Sequence, residues 1–258
     1  MTEAGANARG AIAGRHARGV VTWSGPGLML FARPIFSVLA QGVVAGLYAL
    51  RSSPTPWADA AGWFPVYATL IDVGCLGLLW VLTRREGLTV FDLIGLERAR
   101  WRRDALLGLG LIPVSLLFIV GGISLSSFVV FGTVEPPALF RPLPLLPALY
   151  GVLVFPLVWG LTEQMTYNGY LAPRIQVLSG STAIAVALVS FPWSLQHAFQ
   201  PLTFDPEFML YRFLAPIPFS LFITFLYLRV RRLLPFAVAH WLMDGADVLR
   251  TVLLPHFR

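Results

Sequence analysis

Long apolar segments recur along the chain and constrain its fold more than any other feature. Each runs for roughly 20 residues, the length that an α-helix needs to cross a hydrocarbon core of about 30 Å. The segments are unbroken rather than alternating, which argues against a barrel of short strands. We predict an all-α, polytopic transmembrane helix bundle of about seven spans: Leu28–Leu50, Ala60–Thr83, Ala105–Phe131, Leu145–Tyr170, Thr182–Phe199, Phe208–Leu228 and Leu234–Leu254.

The low content of charged residues excludes a soluble globular domain. Hydrophobic residues make up 57% of the chain and charged residues only 12%, whereas soluble domains contain about a quarter charged residues. A soluble protein of this size would lack the charged surface that it needs. We predict a mobile cytoplasmic tail over residues 1–26, which are rich in Gly, Ala and Arg. Residues 27–258 are predicted to form a single transmembrane domain with its core motifs in residues 145–254.

All 19 basic residues are arginines, and together with the acidic residues they give the chain a net charge of +6. In a soluble protein such a charge would suggest a nucleic-acid partner. Here most arginines lie between the predicted spans, and every second loop is the more basic, as the positive-inside rule requires. We therefore expect no nucleic-acid partner, a cytoplasmic N-terminus and a C-terminus on the far side. The all-arginine usage together with abundant Ala, Gly and Pro indicates a GC-rich bacterial genome, and we therefore predict a bacterial cytoplasmic membrane.

Three charged residues inside the predicted spans have simple explanations. A charge at the bilayer centre costs a few kcal/mol or more, so each one is a functional candidate. Arg33 lies near a span end, where its guanidinium can extend to the interface, and Arg212 is similar. Asp72 is deeper and is expected to pair with a buried donor or to line a water-filled cavity.

The later spans carry a second group of ionisable residues that must face the bundle interior. Its members are Glu163, His197, His240, Asp244 and Asp247. His240 and Asp244 are spaced i, i+4 and share one helix face, which Asp247 extends at i+7. Trp193 and His197 are spaced in the same way, as are Glu163 and Tyr167, whose hydroxyl is a potential donor to the carboxylate.

A carboxylate and two imidazoles around one cavity suggest activation of water. Glu163 as general base, oriented by His197, would deprotonate a water that attacks an amide carbonyl. His240 with Asp244 would stabilise the developing oxyanion. The same four side chains also offer N and O ligands for zinc, and the residue types leave both mechanisms open. The active site is therefore predicted inside the core of the later spans.

Three motifs in these spans resemble those of the CPBP family, the CAAX-protease and bacteriocin-processing intramembrane endopeptidases, also called the Abi family. They are EQMTYNG at Glu163–Gly169, WSLQH at Trp193–His197 and HWLMD at His240–Asp244. The family pattern is E-E-x-x-x-R, then an aromatic followed by x-x-x-H, then H-x-x-x-N or H-x-x-x-D. The resemblance covers roughly Trp159–Asp247, with weaker support back to Phe91. It implies an intramembrane endopeptidase in a lipid bilayer.

The resemblance also implies how such an endopeptidase would work. Glu163 takes the position of the family's base, and a metal-free, glutamate-based mechanism is favoured, with zinc as the alternative. The implied substrate is a peptide or protein, lipidated or membrane-embedded, that is cut near the cytoplasmic face.

Two positions depart from the family motif. Gln164 replaces the second Glu, and Asn168 replaces the Arg. These positions are i and i+4, so relatives could form a buried ion pair where this chain has two neutral amides. We interpret the change as a charge-compensated loss, because removing only one partner strands a buried charge. Restoring only Arg at position 168 should then harm folding.

Two other functions are compatible with these residues. A catalytically silent accessory or immunity-type protein of the same fold is favoured by the changes at Gln164 and Asn168. A proton-coupled transporter would use the buried ionisable residues as a relay, but we find no repeated halves of the usual transporter kind.

The depth of the site residues in the membrane is a difficulty for any common site, because Glu163 lies roughly 18 Å along its span and His240 about 9 Å along its own. Straight, upright helices would not bring them together.

Overall fold

The computed structural model describes residue 5 and residues 7–257, and all the regular structure within them is helical. The α-helices of this part are α1 (Arg9–Ala17), α2 (Ser24–Leu30), α3 (Ala32–Leu50), α4 (Pro56–Ala61), α5 (Phe64–Arg85), α6 (Trp101–Phe131), α7 (Leu145–Leu153), α8 (Phe155–Gln164), α9 (Ala172–Ser179), α10 (Thr182–His197), α11 (Pro206–Leu214), α12 (Ile217–Val230) and α13 (Leu234–Val248). Shorter segments are the 3₁₀ turns Val90–Leu93 and Leu254–Phe257 and the π-helical segments Met165–Leu171 and Leu249–Leu253. The predicted all-α fold class is confirmed.

Five helical stretches in the described residues are long and apolar enough to cross a membrane: Ala32–Leu50, Phe64–Arg85, Trp101–Phe131, Leu145–Ser179 and Pro206–Val230. They correspond to five of the seven predicted spans. The other two predicted spans also form helices, but α10 has only 16 residues and α13 only 15. A turn follows α10, while α13 continues through the π-helical segment Leu249–Leu253.

Helix α3 shows an inside-out distribution of polarity that identifies a membrane protein. Its apolar residues Ile35, Leu39, Val43 and Leu47 follow an i, i+4 stripe and are 56–59% exposed. The opposite face carries Arg33, Ser37 and Gln41, also at i, i+4 spacing, and all three are buried. In lipid the favourable arrangement is apolar side chains outside and polar groups paired within the bundle.

Small residues bring the central helices close together. Helix α13 packs between α6 and α8, and α8 also packs on α5. A Cβ at Gly108 of α6 would lie 2.8 Å from the carbonyl oxygen of Pro235, and one at Gly160 of α8 would lie 3.1 Å from the backbone nitrogen of Trp241. Glycine at such positions lets membrane helices approach backbone to backbone. Gly160 therefore permits the contact of α8 with α13 that forms the site described below.

The chain before the first span is folded, in contrast to the predicted mobile tail. Residues 7–26 form α1 and the start of α2, with Ile12 fully buried. Arg15 lies 3.2 Å from the carboxylate of Glu86, and the Asn7 side chain donates to the carbonyl oxygen of Leu93 at 3.1 Å. Residues 7–26 are too polar to form an apolar core of their own, and these polar contacts hold them against the rest of the protein. Residues 1–4, 6 and 258 lie outside the described part, and the cytoplasmic side and the single domain 27–258 stay predictions.

Candidate active site

Glu163 lies in the last turn of α8, directly before a π-helical segment. Its side chain is 1% exposed, and every residue of Met165–Leu171 is buried. Segments of π-helix are rare and occur frequently at functional sites, because the wider turn changes which side chains share a face. The predicted base is therefore in the bundle interior.

The two oxygens of Glu163 have different environments. Oε1 accepts a hydrogen bond from the amide nitrogen of Gln196. Oε2 lies 3.1 Å from His240 Nε2, and the same Nε2 lies 3.3 Å from Asp244 Oδ2. Oε2 is buried and makes no hydrogen bond of good geometry with any described residue, so it retains the capacity to accept a proton.

The structure brings Glu163, His240 and Asp244 together despite the predicted difference in depth. The reason is that the first residues of α13 do not lie at the same depth in the bundle as the first residues of α6. Its residue Pro235 packs beside Gly108, which is seven residues, or about 10 Å, beyond the start of α6 at Trp101. His240 is therefore deeper than a count along α13 alone suggests.

Gln164 and Asn168, the two departures from the family motif, form a neutral hydrogen-bonded chain that ends on His240. Asn168 Nδ2 donates to Gln164 Oε1 at 2.7 Å, and Gln164 Nε2 lies 3.1 Å from His240 Nδ1. With its oxygen accepting from Asn168, Gln164 has only its amide hydrogens to offer to His240. Nδ1 then accepts, and the imidazole proton is on Nε2, the atom facing Glu163 and Asp244. Both amides are fully buried, in keeping with a charge-compensated loss.

His197 does not join this group in the structure. Its Nδ1 hydrogen-bonds the carbonyl oxygen of Trp193 at 2.9 Å, one turn back on α10. No hydrogen bond or ion pair connects it to Glu163 within the described residues, and the preceding residue, Gln196, makes that contact instead. Neighbouring residues on a helix point about 100° apart, so the predicted orienting role falls in this state to Gln196.

The supporting residues divide into those that line the site and one that does not. Trp193 stacks on Tyr167 with ring centroids 5.1 Å apart, and its ring lies 6.5 Å from that of His240. The Tyr167 hydroxyl donates to the carbonyl oxygen of Pro192 at 3.3 Å and not to the carboxylate. Asp247 is outside the site: its side chain is 46% exposed and pairs with Arg250.

Arg33 is the main site residue that sequence reasoning missed. Instead of extending from a span end to the interface, its side chain is completely buried. Its Nε donates to Gln196 Oε1 at 2.7 Å and lies 4.0 Å from Glu163 Oε1, while Nη1 donates to Asp72 Oδ1 at 3.0 Å. The guanidinium also lies 4.0 Å over the ring of Trp159. The i, i+4, i+8 polar stripe that begins at Arg33 was the available signal.

The donor set predicted for zinc is not assembled. Within residues 7–257 no three His, Cys, Asp or Glu side chains are grouped so that they would hold a metal ion. Glu163, His240 and Asp244 are in contact, but His197 is bonded elsewhere. The residues present therefore do not fit a four-ligand zinc site, and we derive no step through a metal.

The family model described as Rce1-like, Type II CAAX prenyl endopeptidase Rce1-like, matches residues 145–246. That segment contains Glu163, His197, His240 and Asp244. No curated protein and no solved structure matches the chain. With its helical bundle and membrane-spanning helices, the chain is an integral membrane protein, and its residues 145–246 are similar to the CAAX prenyl endopeptidases that this family model describes.

Proposed function

We propose that this protein is an intramembrane endopeptidase that hydrolyses a peptide bond near the cytoplasmic face. The observation that carries the proposal is the environment of Glu163: a buried carboxylate with one oxygen held by Gln196 and the other retaining acceptor capacity beside His240. Such a carboxylate is a suitable general base for water. The match of residues 145–246 to the model of a protease family supports the same proposal.

The reaction follows from these positions. Glu163 Oε2 takes a proton from a water whose oxygen attacks the carbonyl carbon of the scissile bond. The Nε2–H of His240, held by Gln164 on one side and Asp244 on the other, donates to the oxyanion that forms. The carbon–nitrogen bond then breaks, and the leaving amine takes the proton from Glu163. His197, with its Nδ1 donating to a backbone carbonyl, has its Nε2 lone pair available to orient the water.

The substrate we propose is a peptide or protein that is lipidated or embedded in the membrane, as the family's description as a CAAX prenyl endopeptidase suggests. The proposed location is a bacterial cytoplasmic membrane with the N-terminus in the cytoplasm. The mechanism needs no metal, and the bilayer and the substrate are the only partners it requires.

The test is cleavage of a quenched peptide library, with farnesylated members, by purified protein in detergent. Wild type is compared with Glu163→Gln and His197→Ala, each with and without a chelator. The matched control is Glu207→Gln, the same change at an exposed residue in the first turn of α11. We expect Glu163→Gln to lower kcat by about 100-fold or more, His197→Ala to lower it too, and chelator to have no effect.

Other outcomes would contradict parts of the proposal. Loss of cleavage with chelator and its return with zinc would replace the metal-free mechanism. A folded wild type that cleaves no member of the library would overturn the endopeptidase and favour the accessory role. Proton uptake into liposomes that depends on Glu163, without any cleavage, would favour a transporter.

A further inference from the structure

The site contains a cation that comes from outside the segment matched by the family model. Arg33 belongs to α3 and its partner Asp72 to α5, whereas the matched segment begins at residue 145. The two side chains are 0% and 1% exposed and 3.0 Å apart. A buried ion pair is weak evidence for stability alone, because the desolvation of two charges offsets much of their attraction. Its position beside Glu163 suggests a functional reason for it.

The chain lacks the arginine that the family motif places one turn after Glu163 and Gln164. Asn168 occupies that position and is neutral. Among the described arginines, Arg33 is the one that lies within 4.0 Å of a Glu163 oxygen. A buried carboxylate without a cation is expensive, so a guanidinium arriving from another helix offsets part of the cost of its charge.

The contacts of Arg33 also determine which way the Gln196 amide points. A guanidinium only donates hydrogen bonds, so the oxygen of Gln196 must face Arg33, from which it accepts at 2.7 Å. Gln200 Nε2 donates to the same oxygen at 3.3 Å. The amide nitrogen of Gln196 is then directed at Glu163 Oε1, and Asp72 anchors the guanidinium at the start of this chain.

We infer that the Arg33–Asp72 pair is a positioning unit for Glu163, acting through the oriented amide of Gln196. This inference rests on the proposed function, in which Glu163 is the base. It means that the functional site extends from the matched segment into the first two spans. Arg33 itself touches no reacting atom, and its effect is to hold the Oε1 side of the carboxylate so that Oε2 faces the water.

The first test removes both charges of the pair together, so that neither Arg33 nor Asp72 is left without the other. Arg33→Gln/Asp72→Asn replaces both ions by neutral hydrogen-bonding groups, which avoids the large cost of removing only one partner of a buried pair. The matched control is Arg232→Gln/Asp104→Asn, which neutralises another ion pair that has no contact with Glu163. We expect the first variant to remain folded with an unchanged KM and a kcat lower by about tenfold to 100-fold. The control should keep the kcat of the wild type.

The second test asks whether Arg33 acts through Gln196. We expect Gln196→Ala to lower kcat by a similar factor, and the triple variant with Arg33→Gln/Asp72→Asn to be no slower than the slower parent, since residues in one network are non-additive. A merely structural pair would give additive losses. Arg33→Lys retains a cation beside Asp72 but loses the planar Nε–H, so it tests the same link if the neutral pair does not fold.

The outcomes separate this inference from the proposed function. Wild-type kcat in a folded Arg33→Gln/Asp72→Asn variant, or fully additive losses in the triple variant, would overturn the positioning role while Glu163→Gln still lowers kcat by about 100-fold or more. Cleavage that is insensitive to Glu163→Gln would overturn the proposed function, and the positioning role with it.

Discussion

Asn168→Arg restores one residue of the family motif, and we expect it to damage the protein. The Asn168 side chain is fully buried, and its Nδ2 donates to Gln164 Oε1 at 2.7 Å. An arginine there would place a charge one helical turn from a neutral amide. An uncompensated buried charge costs about 3–5 kcal/mol, a large part of a total stability of about 5–15 kcal/mol.

Two further variants separate charge from hydrogen bonding. Asn168→Leu removes the whole amide, both the Nδ2 donor and the buried Oδ1, which has no hydrogen-bond partner in the described part, and adds no charge. It leaves Gln164 Oε1 unsatisfied, which costs about 1–3 kcal/mol. Gln164→Glu/Asn168→Arg supplies both ions at i, i+4 and should recover most of the loss caused by Asn168→Arg alone. The free energy of unfolding would be measured by titrating the detergent-solubilised protein with SDS and following helicity by circular dichroism. Size-exclusion chromatography would report the monodisperse yield.

The coupling free energy between positions 164 and 168 decides whether the two neutral residues compensate for each other. The loss of unfolding free energy in Gln164→Glu/Asn168→Arg should be about 2 kcal/mol smaller than the sum of the losses in Gln164→Glu and Asn168→Arg measured separately. A coupling of this size is within the range for residues in one network. Equal stability of Asn168→Arg and Asn168→Leu, with no gain from the added Glu at position 164, would contradict charge compensation at this pair.

Two other substitutions test the packing and the limits of the site. Gly122→Ala should destabilise the bundle by about 1–3 kcal/mol, because its Cβ would overlap the carbonyl oxygen of Ala215. Gly121→Ala, with open space beside it, should leave the SDS unfolding midpoint unchanged or higher, and equal midpoints for the two variants would contradict this packing. Asp247→Asn should keep kcat/KM within about twofold of wild type, since its exposed pair with Arg250 is worth about 1 kcal/mol or less. A large loss of cleavage in Asp247→Asn would show that Asp247 takes part in the active site.

Much of the fold and part of the site could be predicted from the amino-acid sequence. Apolar segments reveal membrane helices because the bilayer imposes their length and polarity, and five of the predicted spans met both criteria. The i, i+4 spacing of His240 and Asp244 placed both on one face, which is a local property of a helix. The pairing of Gln164 with Asn168 could be predicted in the same way, from their i, i+4 spacing. Their mutual hydrogen bond spans one turn of a single segment.

The remaining features depend on contacts between distant helices. A residue's distance from the end of its own span does not give its depth in the bundle, so Arg33 was predicted at the interface but lies beside Glu163. On α10 the residue that contacts Glu163 is Gln196 and not its neighbour His197, which bonds the carbonyl oxygen of Trp193. The sequence alone establishes a helical membrane protein with buried ionisable residues. Which of them meet depends on the close approach of helices at glycines such as Gly160, because side-chain contacts of about 3 Å require helix positions that no local pattern encodes.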